Sequence, residues 1–580
     1  MSGNKLLILE DKVDQVPSDF DHVFSYRLNR ADSFPEDYIT QAEVNSIYDE
    51  IYQKICDLFS SEQFTKKFSY RGVNLLWCFK KELFHCAYSL TLRYETFKRV
   101  LNRYPAAHIY LTKKSGDLAN AGLVDLIEWS RLKQSLNAQI HLLEVAPVSV
   151  EKKVKRKKWR ISLWPKVIKI GATERCQTAV FSDFERSKSV LSKLGHSGCI
   201  LFSNSASPRT ILRALFNRVG LYQVACVPGH VKPSLAQTKS FLKLLRDKAV
   251  FKHFNFEELN EAPFLQRKME KLFESYLSRL LFEIDQMHDF FSQAPSLKSV
   301  LLDEDIDASK NAFCQVARQF SVTSFVELHG GLGGKHGVLP LTADKIFVWG
   351  NPQKNKLIRW GCLKEKIVVS GCSRYGRYQR MDSQMLKKKI VRQFKLDYSR
   401  KIGLLVLAPF SRWYVLDEHK MSKVISEVLE VAADSARKLA VQFIIKVHPY
   451  DENRGFYEKW VKQNQLQNQI IVITKKYDPL ILAKAVDFLI VYGSTYAMDG
   501  FALDKPVVSL YDESYQLLEE FRDYSIFLYA NSKHDLEKSI LHLIQNPDLK
   551  PERWKEAKME CLNENVIQPE NFIASSLINV

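Results

Sequence analysis

Short β-rich runs alternate with helical patterns along almost the whole of this 580-residue chain. Such alternation is typical of βαβ units, in which helices cover parallel strands. In the first half, the pattern predicts strands at 5–11, 107–113, 138–146, 178–184, 199–205, 222–227, 299–305 and 323–330. In the second half, it predicts strands at 401–409, 441–449, 469–474, 486–494 and 506–512. We therefore predict an α/β protein built on parallel sheets.

The length of the chain exceeds what one ordinary hydrophobic core holds, so two large domains are expected. We predict a first Rossmann-like domain over residues 1–371, with a helical excursion over about 235–298. Residues 372–580 are predicted to form a second Rossmann-like domain that ends in helices. The two parallel sheets are expected to face each other across a cleft.

The net charge indicates which kinds of partner the protein binds, and the cysteines indicate its cellular compartment. The net charge of +18 favours phosphate-bearing partners, which include nucleotides, nucleic acid and anionic lipid. The ten cysteines form no CxxC pair, which favours reduced thiols and a cytoplasmic protein. The charged N-terminus lacks the apolar core of a signal peptide, and every apolar run is shorter than the roughly 20 residues that span a bilayer.

Polar residues follow a predicted strand of the second half, where ligands bind in open parallel sheets. Gly493, Ser494 and Thr495 lie between this strand and a helix, and Asp499 follows one helical turn later. The two hydroxyls and the nearby N–H groups favour a phosphate, with a plain helix cap as the alternative. A carboxylate at Asp499 favours ribose hydroxyls, with a solvated surface charge as the alternative.

Two further strand ends of the second half carry candidate donor-binding residues. His448 and Pro449 end the strand 441–449, and Lys446 alternates with His448 along it. Ser411 and Arg412 follow the strand that ends at residue 409. We predict that these side chains contact the phosphate or the base of a nucleotide, although a single histidine at such a position is more often structural.

The first half offers candidates for a general base. Asp303, Glu304 and Asp305 end one predicted strand, and His329 ends the next. A right-handed crossover through helix 306–320 brings the two strand ends together. Transfer to a hydroxyl requires removal of its proton, which a carboxylate or a histidine can accept. Acidic strand ends are also common helix caps, so the choice among the four residues stays open.

The run HGGLGGKHG (329–337) follows the second of these strands. It lacks the GxGxxG spacing of a dinucleotide-binding fingerprint. Gly330 and Gly331 are predicted to allow close approach of the backbone to a substrate, and Lys335 adds positive charge near the cleft. A flexible loop is the alternative interpretation.

The run KKVKRKKWR (152–160) carries seven Lys or Arg residues in nine positions and is followed by a second tryptophan at Trp164. We favour contact with an anionic membrane surface, because tryptophan lies at the headgroup level and basic residues are attracted to anionic lipid. A solvated linker is the main alternative. Nucleic acid is not expected, since no recognisable nucleic-acid-binding motif is present.

Over roughly 299–511 the chain resembles bacterial GT-B glycosyltransferases of capsule and lipopolysaccharide assembly. The segments that carry the resemblance are LHGG, LTADKIFVWG, KIVVSGCSRY, KVHP and YGSTYAMDGFALDKPVV. Related enzymes include sialyl- and Kdo-transferases, CDP-glycerol glycerophosphotransferases and UDP-sugar 2-epimerases. The resemblance implies the GT-B fold, a nucleotide-sugar donor that is itself the substrate, and no cofactor or metal.

In the CMP-sugar branches a His-Pro pair and a Ser-Ser/Thr pair bind the nucleotide, which places His448-Pro449 and Ser494-Thr495 in that role. The resemblance implies an inverting transfer from a CMP-sugar of Kdo or sialic acid, with a UDP-sugar as the second option. The implied acceptor is a growing surface polysaccharide or a lipid-linked glycan at the inner face of the plasma membrane. The alternatives are a CDP-glycerol-type transferase, an epimerase-like enzyme and a non-catalytic binding module.

Overall fold

The computed structural model describes residues 4–10, 13, 15–26, 30–112, 138–143, 167–195, 198–204, 207–224, 235–247, 261–407, 418–448, 451, 454–474, 477–510, 516–546, 549–550, 552–566 and 568–580. The strands are β1 (Lys5–Leu9), β2 (His22–Ser25), β3 (Ser69–Tyr70), β4 (Val73–Asn74), β5 (His108–Thr112), β6 (Gln139–Leu143), β7 (Val167–Ile170), β8 (Thr178–Phe181), β9 (Cys199–Ser203), β10 (Gly220–Val224), β11 (Ser299–Leu302), β12 (Thr323–Glu327), β13 (Lys345–Val348), β14 (Ile367–Val369), β15 (Lys401–Val406), β16 (Val441–Lys446), β17 (Ile470–Ile473), β18 (Phe488–Tyr492), β19 (Val507–Leu510) and β20 (Leu528–Ala530).

The α-helices are α1 (Gln41–Ser60), α2 (Glu62–Lys67), α3 (Leu75–Cys78), α4 (Lys80–Arg103), α5 (Phe184–Leu194), α6 (Pro208–Phe216), α7 (Leu235–Leu245), α8 (Glu261–Leu272), α9 (Ser278–Ser292), α10 (Ala308–Gln319), α11 (Asn351–Arg359), α12 (Gly376–Gln379), α13 (Ser383–Phe394), α14 (Glu418–Lys438), α15 (Arg454–Gln463), α16 (Pro479–Ala485), α17 (Tyr496–Ala502), α18 (Lys533–Gln545), α19 (Trp554–Leu562) and α20 (Pro569–Ile578). A π-helical turn, Phe273–Leu277, joins α8 to α9. Each strand predicted from the sequence overlaps an observed one.

The first half contains an eight-stranded sheet with the strand order β14-β13-β12-β11-β8-β9-β10-β7. Its strands are parallel except for the edge strand β7, which pairs antiparallel with β10. The chain builds outward from β8 to β10 and then returns to the other side of β8 with β11. The strand order therefore reverses between β8 and β11, and such a switch point leaves a crevice at the carboxyl ends of the two strands.

The second half contains a six-stranded parallel sheet in the order β17-β16-β15-β18-β19-β20. Its switch point lies between β15 and β18. Neighbouring residues of β15, Leu404 and Leu405, point to opposite faces, and both are fully buried in separate core clusters. Helices thus cover both faces, as the continuous apolar runs of these strands require. The predicted α/β class, with two halves built on parallel sheets, is confirmed.

A separate four-stranded parallel sheet, β2-β1-β5-β6, was not anticipated by the two-domain prediction. Three of its strands, β1, β5 and β6, are strands that we predicted for the first domain. The long helices α1 and α4 pack against each other and against this sheet, and their buried residues join the core of the eight-stranded sheet. The first half is therefore one continuous core with two sheets.

The end of the chain returns to the first half. Helix α20 packs on α5 and β11, where Ile573 and Leu577 are fully buried. The Ser299 hydroxyl donates a hydrogen bond of 2.7 Å to the carbonyl of Leu577. The predicted domain 372–580 differs from the structure here, because the apolar face of this last helix finds its partner on the first sheet.

Candidate active site

The two halves approach each other where the glycine-rich loop after β12 meets the turn after β18. A Cβ atom placed on Gly330 would lie 3.9 Å from Cγ2 and 4.0 Å from Oγ1 of Thr495. Thr495 follows β18, which borders the switch point of the six-stranded sheet. The loop after β12 and the turn after β18 therefore lie side by side.

At the switch point of the first sheet, Asp303 is fixed by two cations. Its carboxylate lies 2.9 Å from Nη1 of Arg186 and 2.5 Å from Nζ of Lys310. Burial by itself raises the pKa of Asp303, but Lys310 and Arg186 more than offset it, so the pKa is lower than that of an ordinary aspartate. A carboxylate held in this way is a weak proton acceptor.

The other two acidic candidates have different surroundings. Asp305 is buried, and its Oδ2 accepts hydrogen bonds from the backbone N–H groups of Thr342 and Ala343 at 2.5 and 2.9 Å. It therefore fixes the loop before β13 and is closed to substrate. Glu304 lies 3.1 Å from Nζ of Lys310 and is partly exposed. Burial opposes its ionisation, but Lys310 lowers the pKa overall.

His329 has the geometry of a general base. Its Nδ1 lies 2.8 Å from the backbone carbonyl of Asp303, and because a carbonyl only accepts, this nitrogen carries the proton. Burial and the nearby Arg186 lower the pKa of His329 below its usual value, so the neutral ring dominates at pH 7. Nε2 is then the ring nitrogen that keeps a lone pair.

The loop 329–337 is held from both sides. Lys335 lies 2.7 Å from Asp49, and the N–H of His336 donates a hydrogen bond of 3.0 Å to the Tyr48 hydroxyl on α1. On the other side, the N–H of Leu332 donates to Glu520 of the second half at 3.4 Å. Lys335 is thus engaged by Asp49, whereas Gly330 lies beside Thr495. The close approach of this backbone to a substrate stays a prediction.

In the second half, the predicted phosphate turn is half-buried. Ser494 and Thr495 are partly exposed, and the N–H of Tyr496 donates a hydrogen bond of 3.3 Å to the Ser494 hydroxyl. Gly493 has φ of +58°, in the left-handed region that glycine adopts at little cost. This turn directs the chain from β18 into α17 and leaves both hydroxyls beside the cleft.

Asp499 is buried and already paired, which differs from the predicted ribose contact. Its Oδ1 accepts hydrogen bonds from Nη2 of Arg374 and, at 2.8 Å, from the hydroxyl of Tyr375. The carboxylate points into the protein because α17 packs its Asp499 face against residues 372–378. The carboxylate therefore positions Arg374 at the cleft, and we do not assign it to the ribose.

Arg374 is a candidate that the sequence analysis did not select. It follows the last strand of the first sheet, β14, and its side chain is 29% exposed. Its Nε–H is buried and has no hydrogen-bond partner among the described residues. A strand-end position, the same signal that selected His329, would have identified it within the segment KIVVSGCSRY.

Lys446 and His448 follow the same edge of the second sheet. Nζ of Lys446 lies 5.4 Å from the ring centroid of Tyr496, and burial lowers the Lys446 pKa although Asp499 opposes this. His448 is half-exposed just beyond β16, and its backbone carbonyl accepts a hydrogen bond from the N–H of Asp451. The predicted donor-site residues Pro449, Ser411 and Arg412 lie outside the described residues.

Glu327, the last residue of β12, is a second group that the sequence analysis left unselected. It is buried and accepts a hydrogen bond from the Ser373 hydroxyl. Burial raises its pKa to about 7, although Ser373 and the nearby Arg374 oppose the rise. The charge of this buried carboxyl, close to Arg374, is therefore sensitive to pH near neutrality.

A cavity of about 500 Å³ opens beside the switch point of the first sheet. Lys310, which binds Asp303, also lines this cavity, so the cavity and the strand-end cluster share a wall. Aromatic, acidic and basic side chains line it together: Phe79, Phe181, Tyr276, Glu82, Arg279 and Glu283. Burial raises the pKa of Glu82 to about 7.

The remaining predictions concern the basic run, a metal ion and the membrane. The basic run 152–160 lies outside the described residues. Within the described part of the chain, no group of three or more His, Cys, Asp or Glu side chains is arranged to hold a metal ion. Nor is any described helix long and apolar enough to cross a bilayer. The absence of a metal requirement therefore stays a prediction.

The second half matches a known family. Residues 388–518 match the model described as "Capsule polysaccharide biosynthesis protein". This range contains the predicted phosphate turn, His448 and Lys446. The resemblance to surface-polysaccharide enzymes is thereby confirmed over the part of the chain that carries the candidate donor site.

Solved structures with a similar fold include three from bacteria. The HepE protein of Anabaena, in complex with UDP and glucose, is 11% identical, with a TM-score of 0.44 over 69% of this chain and 99% of that one. A UDP-GlcNAc 2-epimerase from Neisseria meningitidis bound to UDP-GlcNAc is 12% identical (TM-score 0.44; 70% and 99%). A glycosyltransferase from Rickettsia africae is 14% identical (TM-score 0.43; 70% and 99%). No curated protein sequence matches this chain.

Proposed function

We propose that the protein is a glycosyltransferase that moves a sugar from a nucleotide-activated donor to a growing surface polysaccharide or a lipid-linked glycan. The observation that carries this proposal is the approach of Gly330 to Thr495, which joins the carboxyl ends of two parallel sheets at one cleft. The family match of residues 388–518 supports a role in capsule synthesis. A CMP-sugar is the donor that the His-Pro and Ser-Thr pairs favour, and a UDP-sugar is the alternative.

The charges around the phosphate turn support an anionic ligand. Arg374 and Lys446 lie close to a single carboxylate, that of Asp499, so the cluster retains positive charge when both are ionised. The partly exposed guanidinium of Arg374 offers N–H donors to a phosphate oxygen, although its Nε–H is itself buried. Ser494 and Thr495 add hydroxyl donors at the same edge. Charge-assisted hydrogen bonds of this kind are the strong ones.

The transfer itself requires one proton acceptor and one stabilised leaving group. His329 Nε2 takes the proton of the acceptor hydroxyl as its oxygen forms a bond to the anomeric carbon. The bond from that carbon to the donor phosphate breaks, and the electron pair leaves with the nucleotide. Arg374, Lys446 and the turn hydroxyls stabilise the negative charge that develops on the phosphate. A single displacement of this kind inverts the anomeric carbon and needs no cofactor.

The cavity beside Lys310 supports the placement of the acceptor in the first half. Its aromatic walls suit sugar faces, while Glu82 and Arg279 can bind hydroxyl or acidic groups of a glycan. Lys310 lines the cavity and also binds Asp303, whose carbonyl accepts a hydrogen bond from His329. This connection is the reason for placing the acceptor there.

A thermal-shift panel of CMP, CDP, UDP and GDP tests the donor site. We expect one nucleotide to raise the melting temperature, and we expect Thr495→Val and Arg374→Lys to weaken its binding about 10- to 100-fold, since a charge-assisted hydrogen bond contributes about 1.5–3 kcal/mol. Ser576→Ala and Lys459→Gln are the matched controls on distant helices. Indifference of the wild-type protein to all four nucleotides would remove the proposed donor site.

Product analysis separates the alternatives that share this fold. Release of free nucleotide together with an extended glycan supports a glycosyltransferase. Conversion of a UDP-sugar to an isomer without an acceptor indicates an epimerase, and transfer from CDP-glycerol indicates a polyol-phosphate transferase. Nucleotide binding without any turnover would indicate a non-catalytic binding module.

A further inference from the structure

Helix α6, at the far edge of the eight-stranded sheet, exposes a cluster of large apolar side chains. Leu212 and Leu215 are each 53% exposed and Phe216 is 84% exposed. On the opposite side of the helix, Ala214 is buried in the core with α5 and α20. Of the helices in the described residues, α6 alone contributes three members to the exposed large apolar groups. An exposed apolar cluster of this kind indicates a surface that contacts a membrane or another protein.

The residues that flank this cluster are basic. Arg209 lies one turn before Leu212, Arg213 follows Leu212, and Arg218 lies just beyond the helix. The segment 208–218 contains no acidic residue. Long arginine side chains can keep their guanidinium groups in a polar layer while apolar neighbours enter a less polar one. The charge of the patch thus complements an anionic surface.

Helix α6 lies at the edge of the sheet that follows the basic run 152–160 in the sequence. Helix α6 connects β9 to β10, and β10 pairs with the edge strand β7. Residues 161–166 separate the basic run from β7, a stretch that spans about 20 Å when extended. The chain therefore attaches the basic run to the same edge of the sheet that carries α6.

We propose that α6 docks onto an anionic lipid bilayer. Leu212, Leu215 and Phe216 enter the headgroup region, while Arg209 and Arg213 contact lipid phosphates. A bilayer fits better than a protein partner, because a nine-residue helix offers far less than the roughly 800 Å² per partner that a stable protein interface buries. Docking at this edge would hold the first half of the cleft near a lipid-linked acceptor. It does not depend on the donor chemistry.

Co-sedimentation of the full chain with vesicles of phosphatidylglycerol and phosphatidylcholine (3:7) tests the proposal. We expect binding that falls at least tenfold in pure phosphatidylcholine, and at least tenfold in the variant Leu212→Ser/Leu215→Ser/Phe216→Ser. The matched control, Met385→Ser/Leu541→Ser/Phe572→Ser, replaces three exposed apolar residues on other helices and should bind as the wild type does. Arg209→Gln/Arg213→Gln should weaken binding and reduce its dependence on salt.

Three results would overturn the proposal. The first is no vesicle binding by the wild type, and the second is unchanged binding by the triple α6 variant. The third is a triple variant that keeps its vesicle binding but differs from the wild type in oligomeric mass, measured by light scattering. The last result would assign α6 to contact between copies of the chain. Because the replaced residues are exposed, melting temperature and nucleotide response should stay unchanged in the triple variant. A loss of vesicle binding is therefore distinguishable from a failure of the donor site.

Discussion

Gly330 and Thr495 face each other across the cleft, with a Cβ atom on Gly330 placed 3.9 Å from the Thr495 methyl carbon. Gly330 lies in the loop after strand β12 of the first sheet, and Thr495 lies in the turn after strand β18 of the second. Their approach is what turns two separate strand-end regions into one candidate site. It also means that bulk added at Gly330 enters the space between the halves.

Gly330→Val should therefore weaken nucleotide binding without unfolding the protein. The Cβ atom itself would be in ordinary van der Waals contact with Thr495, and the two methyl groups of valine add bulk beside it. Overpacking costs about 1–3 kcal/mol, which corresponds to about 10- to 100-fold in affinity. Gly337→Val is the matched control, because nothing lies within 4 Å of a Cβ atom there. Calorimetric titration with the responding nucleotide measures the effect. Equal nucleotide affinities of Gly330→Val and Gly337→Val would contradict a nucleotide site bordered by Gly330.

The pH dependence of turnover tests His329 as the base. The reaction needs the neutral ring, so the rate should rise with pH along an acid limb whose apparent pKa lies below 6.5. His329→Gln should lower kcat about 10²- to 10⁴-fold and remove this limb while the donor KM changes little. His542→Gln, on the exposed helix α18, is the control. A variant that keeps both its rate and its acid limb would favour Glu304 as the base.

The buried ion pair between Lys356 and Glu520 links the two halves at 2.9 Å. Burial raises the pKa of Glu520, and Lys356 opposes the rise. Lys356→Met leaves the carboxylate buried without its cation and should cost about 3–5 kcal/mol, which lowers the melting temperature by several degrees. The double variant Lys356→Met/Glu520→Leu should recover much of this loss. A double variant less stable than the single one would show that the pair has no such coupling.

Glu327 should make the stability of the protein depend on pH near neutrality. Its pKa in the folded state is about 7, above the ordinary 4.5, so the folded state holds this proton more tightly than the unfolded state. The stabilisation is complete at low pH and is lost as the pH rises through 7, by about 3 kcal/mol at most. Glutamine is neutral at every pH. The melting temperature of Glu327→Gln should therefore exceed that of the wild type by a difference that grows from pH 5 to pH 8. Glu537→Gln, on the exposed face of α18, should follow the wild type in parallel.

The alternation of apolar runs and helical patterns was sufficient to predict the α/β class and every strand that it named, because buried parallel strands must be continuously apolar. It also placed Ser494, Thr495 and His329 at strand ends. The separate four-stranded sheet and the return of α20 to the first half were missed. Strand pairing and helix packing depend on contacts between residues far apart in the chain, which periodicity does not record.

The sequence by itself determined which residues stand at the carboxyl ends of strands, since local patterns set where each strand stops. Only the tertiary structure decided which of them remain available for chemistry. Asp303 is held by Arg186 and Lys310, Asp305 by two backbone N–H groups, and Asp499 by Arg374. Apart from Lys310, which is seven residues from Asp303, these partners come from distant parts of the chain. The charge and hydrogen bonds that they supply set the pKa and the direction of each group.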